Sequence, residues 1–154
     1  MAKGSVVGIF ISPKAREPMR EVSEVFAEAG NGLVGDRYYD GNGSYNHNKP
    51  GKRQVTLMNA LFFKDSEFCF ADSRRNIFTE GVELMDLIDK EFKVGEALFK
   101  GVKYCDPCQI PSKLAGIETS FRDAFFDRGG LVAEILESSI IFIGDEVLPP
   151  KKVY

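Results

Sequence analysis

Short apolar runs, cut at brief intervals by glycine and proline, limit most strongly what this chain can fold into. Residues 5–11 hold Val6, Val7, Ile9, Phe10 and Ile11 and stop at Ser12-Pro13. The pattern recurs at residues 53–58, 92–94, 97–104, 131–136 and 140–143, and at Val147-Leu148 after the turn Gly144-Asp145. Runs this short, bounded by turn residues, read as strands. Residues 75–78 add a short extended piece. Helical signals are few. Asn59 can cap a helix carrying Leu61, Phe62 and Phe63, and Ser120 one carrying Phe121, Ala124 and Phe125. Leu84, Leu87 and Ile88 have helical spacing within residues 82–88. Many short strands with glycine turns and a few short helices predict a mainly β fold closed as a barrel.

The length of 154 residues, with 44% hydrophobic and 28% charged side chains, suits one globular domain with one core. Its expected span is residues 1–148, followed by a solvated tail at 149–154 that contains Pro149-Pro150-Lys151-Lys152. A net charge of −3 argues against nucleic-acid or membrane-surface binding through overall positive charge. No apolar run approaches the ~20 residues that span a bilayer. Residues 1–5 lead into a strand without the apolar stretch and cleavage site of a signal peptide. Three cysteines in such a chain point to reduced thiols and a cytoplasmic location.

Several segments admit more than one reading. Val22, Val25, Phe26 and Ala29 fall at helical spacing, although serine and β-branched residues there also allow an extended piece. Residues 30–51 read as a long glycine-rich loop that composition allows to move. Gly30-Asn31-Gly32-Leu33-Val34-Gly35 matches the letters of a dinucleotide-binding turn. Asp36-Arg37-Tyr38 opens no helix to receive a pyrophosphate, so we discount that site. Asp36-Arg37 can be a structural ion pair or can present a guanidinium to an anion. Arg74-Arg75-Asn76 is a solvated turn or a phosphate and pterin clamp, with arginine forks on oxygens and an amide on a ring edge. His47, the only histidine, sits in the glycine-rich stretch and forms no triad by spacing.

Cys105-Asp106-Pro107-Cys108 follows an alternating run and holds two of the three cysteines. Sulfur here can bind a soft metal, carry a sulfur atom or cycle through a disulfide. A structural zinc site would have only Cys69 and His47 to complete it, and these form no second pair. A thioredoxin-like motif needs a helix opening at the pair in a βαβ setting, and Pro111 comes soon after Cys108. A single reactive thiolate remains, with the other cysteine as packing or resolving partner. Arg74, Arg75 and Lys103 are the candidate charges beside it.

The motifs together resemble the MOSC family, the domain also found at the C-terminus of molybdenum cofactor sulfurases. They run in order from about Ser5 to Val147: Gly32-Leu33-Val34-Gly35-Asp36-Arg37, Arg53-Gln54-Val55-Thr56-Leu57, Arg74-Arg75-Asn76-Ile77 with Thr79-Glu80-Gly81-Val82, Phe92-Lys93-Val94-Gly95-Glu96-Ala97, Cys105-Asp106-Pro107-Cys108, Gly129-Gly130-Leu131-Val132-Ala133 and Ile143-Gly144-Asp145-Glu146-Val147. Ser138-Ser139 departs from the family, which often has glycine there.

The resemblance implies a closed β-barrel of the MOSC, or pyruvate-kinase-barrel-like, kind, and an extended residue 22–29 segment. It implies chemistry with the molybdenum cofactor (molybdopterin), bound transiently or held. Cys108 matches the working cysteine and molybdenum ligand, and Cys105 is a possible helper. Arg74, Arg75 and Asn76 match positions near the pterin phosphate, and Asp36 and Arg37 shape the same cleft. In some relatives the cysteine accepts sulfur from a pyridoxal-phosphate enzyme. This chain has no such domain, so a separate pyridoxal-phosphate cysteine desulfurase and a molybdoenzyme are the implied partners. In other relatives the bound cofactor reduces N-hydroxylated compounds. A third alternative is a non-catalytic binding module that keeps the fold.

Overall fold

The computed structural model describes residues 3–39 and 53–150. The segment at 40–52, with His47 and most of the expected glycine-rich loop, and residues 151–154 of the expected tail lie outside the described residues. The chain opens with β1 (Gly4–Ile11), β2 (Arg20–Glu21), β3 (Glu24–Glu28) and β4 (Gly32–Leu33). β5 (Val55–Asn59) runs into a 3-10 turn at Ala60–Phe63, and α1 (Phe70–Ser73) leads to β6 (Ile77–Glu80). A second 3-10 turn at Leu84–Leu87 precedes β7 (Glu91–Val94) and β8 (Ala97–Tyr104). Then come α2 (Ile110–Ala115), α3 (Phe121–Ala124), β9 (Leu131–Glu137), β10 (Ser139–Phe142) and β11 (Glu146–Leu148).

Seven strands pair in the order β1-β6-β5-β9-β8-β7-β11, and β11 returns to β1 through Gly4 opposite Val147. The closed, mainly β barrel expected from the sequence is therefore the observed architecture. Closure satisfies the backbone groups that an open sheet would leave along its edges. β5 and β6 are parallel, and the other barrel pairs are antiparallel. β10, β3 and β4 form a separate small sheet.

The side-chain alternation of strands sorts the apolar residues into two cores. Ile9, Leu57, Ile77, Val94, Phe99, Leu131 and Val147 belong to one buried cluster. The intervening residues Phe10, Met58 and Phe78 belong to a second, phenylalanine-rich cluster with Phe63, Phe68, Phe121 and Phe125. Phe78 stacks on Phe70 with ring centroids 4.4 Å apart and meets Phe10 edge-on at 5.4 Å. Burial on both faces explains why β1, β5 and β6 read as continuous apolar runs rather than as half-polar strands.

Two expected caps are present. Asn59 Oδ1 accepts from the Leu61 N–H at 2.9 Å, and Ser120 Oγ from the Asp123 N–H at 3.2 Å. The helical spacing at residues 22–29 is corrected, because the segment carries β3. Val25 and Ala27 are buried while Phe26 is 40% exposed, a period of two that the helical count overlooks. Two helices carry no clear signal in the sequence. α1 is a single turn, and α2 contains Pro111 in its first turn, where proline removes no intrahelical hydrogen bond. Pro111 therefore does not count against a helix after the cysteine pair, contrary to the sequence-based expectation.

Truncating Phe78 removes the ring on which the second cluster converges. We expect Phe78→Ala to lower unfolding free energy by about 3–5 kcal/mol. Urea denaturation reads this as a lower midpoint at unchanged slope.

Candidate functional site

Five segments converge beside the barrel: residues 12–19 after β1, residues 36–38 after β4, Arg53 ahead of β5, residues 73–76 from the end of α1 to the start of β6, and residues 105–111 from the end of β8 into the first turn of α2. They enclose an open cleft of about 470 Å³, counted out to its mouth.

Asn76 anchors the innermost layer. Its Oδ1 accepts from the Thr56 N–H at 3.0 Å and the Thr56 hydroxyl at 3.2 Å, and its Nδ2 donates to the Phe10 carbonyl at 3.1 Å. The side chain is fully buried and does not line the cleft, so the amide expected on a ring edge is instead bonded to β5 and β1.

Arg75, one residue before, holds the cysteine loop. Its guanidinium donates to the carbonyls of Gly129 at 2.8 Å, Asp106 at 3.2 Å and Ser73 at 3.5 Å. The loop can pass because Gly129 has no side chain. A Cβ there would collide with the Cys105 carbonyl and lie 2.8 Å from Pro107 Cδ. The Cys105 N–H donates to the Gly130 carbonyl at 2.9 Å.

Arg74 is the C-cap of α1, in left-handed backbone geometry at φ 62°. Its Nη1 donates to the Glu17 carbonyl at 2.6 Å. Its Nη2 is buried and has no hydrogen-bond partner among the described residues. A buried donor left unmatched costs about 1–3 kcal/mol, and more when charged. Burial, reinforced by the charge of Arg37, pushes the guanidinium down to about 10, so it is still charged at neutral pH.

Asp36 and Arg37 are both buried and form an ion pair at 3.2 Å. Asp36 also accepts from the Ser12 N–H at 3.0 Å, and Arg37 Nη2 donates to the Arg74 carbonyl at 3.0 Å. Burial pushes the Asp36 carboxyl up and outweighs the Arg37 charge that pulls it down. The pair ties the end of β1 to the α1–β6 joint, and Arg37 also lines the cleft.

The two paired cysteines occupy different places. Cys105 is fully buried, and Arg53 Nη1 donates to its sulfur at 3.6 Å. Cys108 is half-buried and lines the cleft with Arg16, Arg37, Arg53, Arg74 and Arg75. Lys103, expected beside the thiol, is exposed on β8 and outside the cleft lining. Arg53 and Arg16 are cleft residues to which the sequence assigns no role. Arg53 appears there as the first residue of a strand and of a family motif, and no local motif links it to a sulfur 52 positions away. Among the described residues no group of three or more His, Cys, Asp or Glu gathers to hold a metal ion. No helix among them is long and apolar enough to cross a membrane.

A seven-strand closed barrel with a thiol in an arginine-lined cleft defines a class, and comparison with known proteins supplies the family. The MOSC domain model matches residues 50–148, and the chain belongs to the MOSC domain family. No curated protein matches the sequence. The fold resembles the crystal structure of the YuaD protein from Bacillus subtilis, with a TM-score of 0.76 at 15% identity over 96% of this chain and 97% of that one. It also resembles YiiM from Escherichia coli, with a TM-score of 0.66 at 14% identity over 97% and 71%. For YiiM from Geobacillus stearothermophilus the TM-score is 0.68 at 11% identity over 96% and 75%. Likeness at these identities concerns the fold.

Neutralising Asp36 leaves the Arg37 charge buried without its carboxylate. We expect Asp36→Asn to destabilise the protein by about 3 kcal/mol, at the low end for breaking a buried pair because Tyr38 and Arg74 still bond Arg37. Thermal unfolding by circular dichroism measures the loss.

Proposed function

We propose that this MOSC domain, residues 1–148 acting as one unit in the cytoplasm, serves the molybdenum cofactor. Cys108 either receives and delivers sulfur or ligates molybdenum. The observation that carries this reading is a half-buried thiol opening on a cleft where Arg74 Nη2 is buried without a partner among the described residues. An arginine fork matches a phosphate, and a thiolate is a soft ligand suited to molybdenum.

The residues fit the cofactor. Arg74, with Arg37 and Arg53 beside it, would hold the phosphate, and Cys108 would contact the metal. When bound, the cofactor supplies two-electron redox chemistry at molybdenum. Arg75 acts by fixing the cysteine loop, and Asn76 and Asp36 by fixing the backbone from which Arg74 and Arg37 reach the cleft. Cys105 is held away from the cleft by burial and by Arg53, so a helper role requires the loop to rearrange.

In the carrier reading, the Cys108 thiolate attacks the outer sulfur of a donor persulfide. The donor's S–S bond breaks, the donor leaves as a thiolate, and Cys108 becomes the persulfide. A separate pyridoxal-phosphate cysteine desulfurase is the donor class, and a molybdoenzyme or its cofactor is the acceptor. The second reading is a molybdenum-dependent reductase of N-hydroxylated compounds, to which the Cys108 thiol among the cleft arginines is equally suited as a metal ligand.

Persulfide labelling after incubation with a sulfur-loaded desulfurase is the test. We expect Cys108→Ser to lose persulfide loading and cofactor binding, and Cys69→Ser, altered at an exposed cysteine outside the cleft, to keep both. Retention of both by Cys108→Ser overturns the reading. Molybdenum analysis of gently purified protein separates the two forms: a carrier holds little metal, whereas a reductase holds a stoichiometric amount.

A further inference from the structure

Away from the cleft, exposed apolar side chains gather on the small sheet. Phe26 lies directly opposite Ile140 in the β3–β10 register, and Phe142 is two residues further along β10 on the same face. Val34, one step past β4, continues the β3–β4 register opposite Phe26 and donates its N–H to the Phe26 carbonyl at 3.0 Å. Ile140, Phe26 and Val34 thus form a stripe across the sheet, with Phe142 beside it. These four side chains are 40–46% exposed, whereas Val25, Ala27, Leu33 and Ile141 on the other face are buried in the core. None of the four lines the Cys108 cleft. Together they open on the order of 300 Å² of apolar surface, a size at which the largest patch of a monomer is often functional.

The stripe has an acidic border. Glu24 and Glu28 stand on either side of Phe26 on the same face of β3, and Glu24 is opposite Phe142. Glu28 accepts from Asn31 Nδ2, and neither glutamate has an ion-pair partner among the described residues. The stretches of sequence that hold the sheet, residues 21–36 and 129–150, each carry four acidic residues and no lysine or arginine. The outer edge of β10 is closed to a further strand. The Phe142 N–H donates to Asp145 Oδ2 at 2.8 Å, and the Phe142 carbonyl accepts from the Asp145 N–H at 3.1 Å. A partner therefore meets the face of the sheet rather than its edge. A second copy would bring glutamates against glutamates, and the stripe falls well short of the ~800 Å² that each partner gives to a stable interface. An anionic lipid surface meets the same repulsion. We propose that this face docks a partner protein that presents an apolar strip flanked by lysine or arginine. The docking does not depend on the chemistry at Cys108.

The probe is a synthetic amphipathic helical peptide with a leucine strip flanked by lysines, paired with an analogue that carries glutamate at every lysine position. Fluorescence anisotropy of the labelled peptides reads binding to the purified chain. We expect the lysine peptide to bind and the glutamate peptide not to bind. Ile140→Thr and Phe26→Thr place a strand-forming residue at each position while removing most of the apolar contact, and each should weaken the lysine peptide roughly tenfold. Glu24→Gln combined with Glu28→Gln should weaken it about fivefold and flatten its dependence on added salt. Phe126→Ser alters a still more exposed ring, just after α3 and outside the sheet, and should leave binding unchanged.

Equal affinity for the two peptides, or binding of neither, overturns the proposal. A loss in Phe126→Ser as large as that in Ile140→Thr also overturns it, because the peptide then adsorbs to any apolar surface. Full affinity in folded Ile140→Thr and Phe26→Thr places the contact elsewhere and has the same consequence. If either threonine variant folds poorly by circular dichroism, the doubly altered glutamate variant decides, and unchanged affinity there ends the proposal. Sedimentation of the chain alone tests the other occupant: a dimer that Ile140→Thr dissolves means that a second copy covers the face, and the basic partner is overturned.

Discussion

The Asn76 side chain is the constraint on which the rest of the site depends. At one point it joins β5, through Thr56, and β1, through the Phe10 carbonyl, just where β6 begins. Its backbone completes the joint: its N–H meets the Thr56 carbonyl and hydroxyl, and its carbonyl accepts from the Phe10 N–H at 2.7 Å. A fully satisfied buried amide of this kind is costly to misplace, so it fixes one register among three strands. The two residues before it then have no freedom of direction. Arg75 is delivered to the cysteine loop and Arg74 to the cleft wall.

The loop is held from two sides. Arg75 grips the carbonyls of Asp106 and Gly129, while the absence of a side chain at Gly129 lets the loop lie against β9's entry. The two sulfurs, three residues apart, thereby acquire opposite environments. Cys105 is sealed against Arg53, and Cys108 opens on the cleft as α2 begins. Both cysteines lie beyond β8, which ends at Tyr104, so the loop's own contacts rather than strand alternation set their directions.

The barrel is legible in the sequence because its signal is local. Each strand announces itself by a short apolar run and a turn, and the caps at Asn59 and Ser120 act within three residues. Sequence and structure part where local pattern is ambiguous or tertiary burial decides. Val22, Val25, Phe26 and Ala29 satisfy a helical count, yet pairing with β10 makes β3 extended. The family resemblance assigns that segment correctly where periodicity does not. In Arg74-Arg75-Asn76 the residues are visible but their separate tasks are not. Each depends on partners distant in the chain: Glu17 for Arg74, Gly129 for Arg75 and Phe10 for Asn76. Arg53 illustrates the same limit, since its meeting with Cys105 exists only once β5 and β8 flank β9.

The net charge of −3 conceals the most cationic part of the molecule. Arg37, Arg53, Arg74 and Arg75 are all buried around one cleft, and burying charge is a poor way to gain stability. Arg75 is compensated by carbonyls, and Arg37 by Asp36, Tyr38 and the Arg74 carbonyl. For these two, a structural role is sufficient explanation. Arg74 differs, because one of its buried nitrogens has no partner among the described residues and the charge of Arg37 lies against it. Thr79 Oγ1 on β6 is likewise buried without a partner among the described residues, but it carries no charge. Arg74 is thus the one cleft arginine whose buried charge is only partly compensated, and it stands on the wall that Cys108 shares.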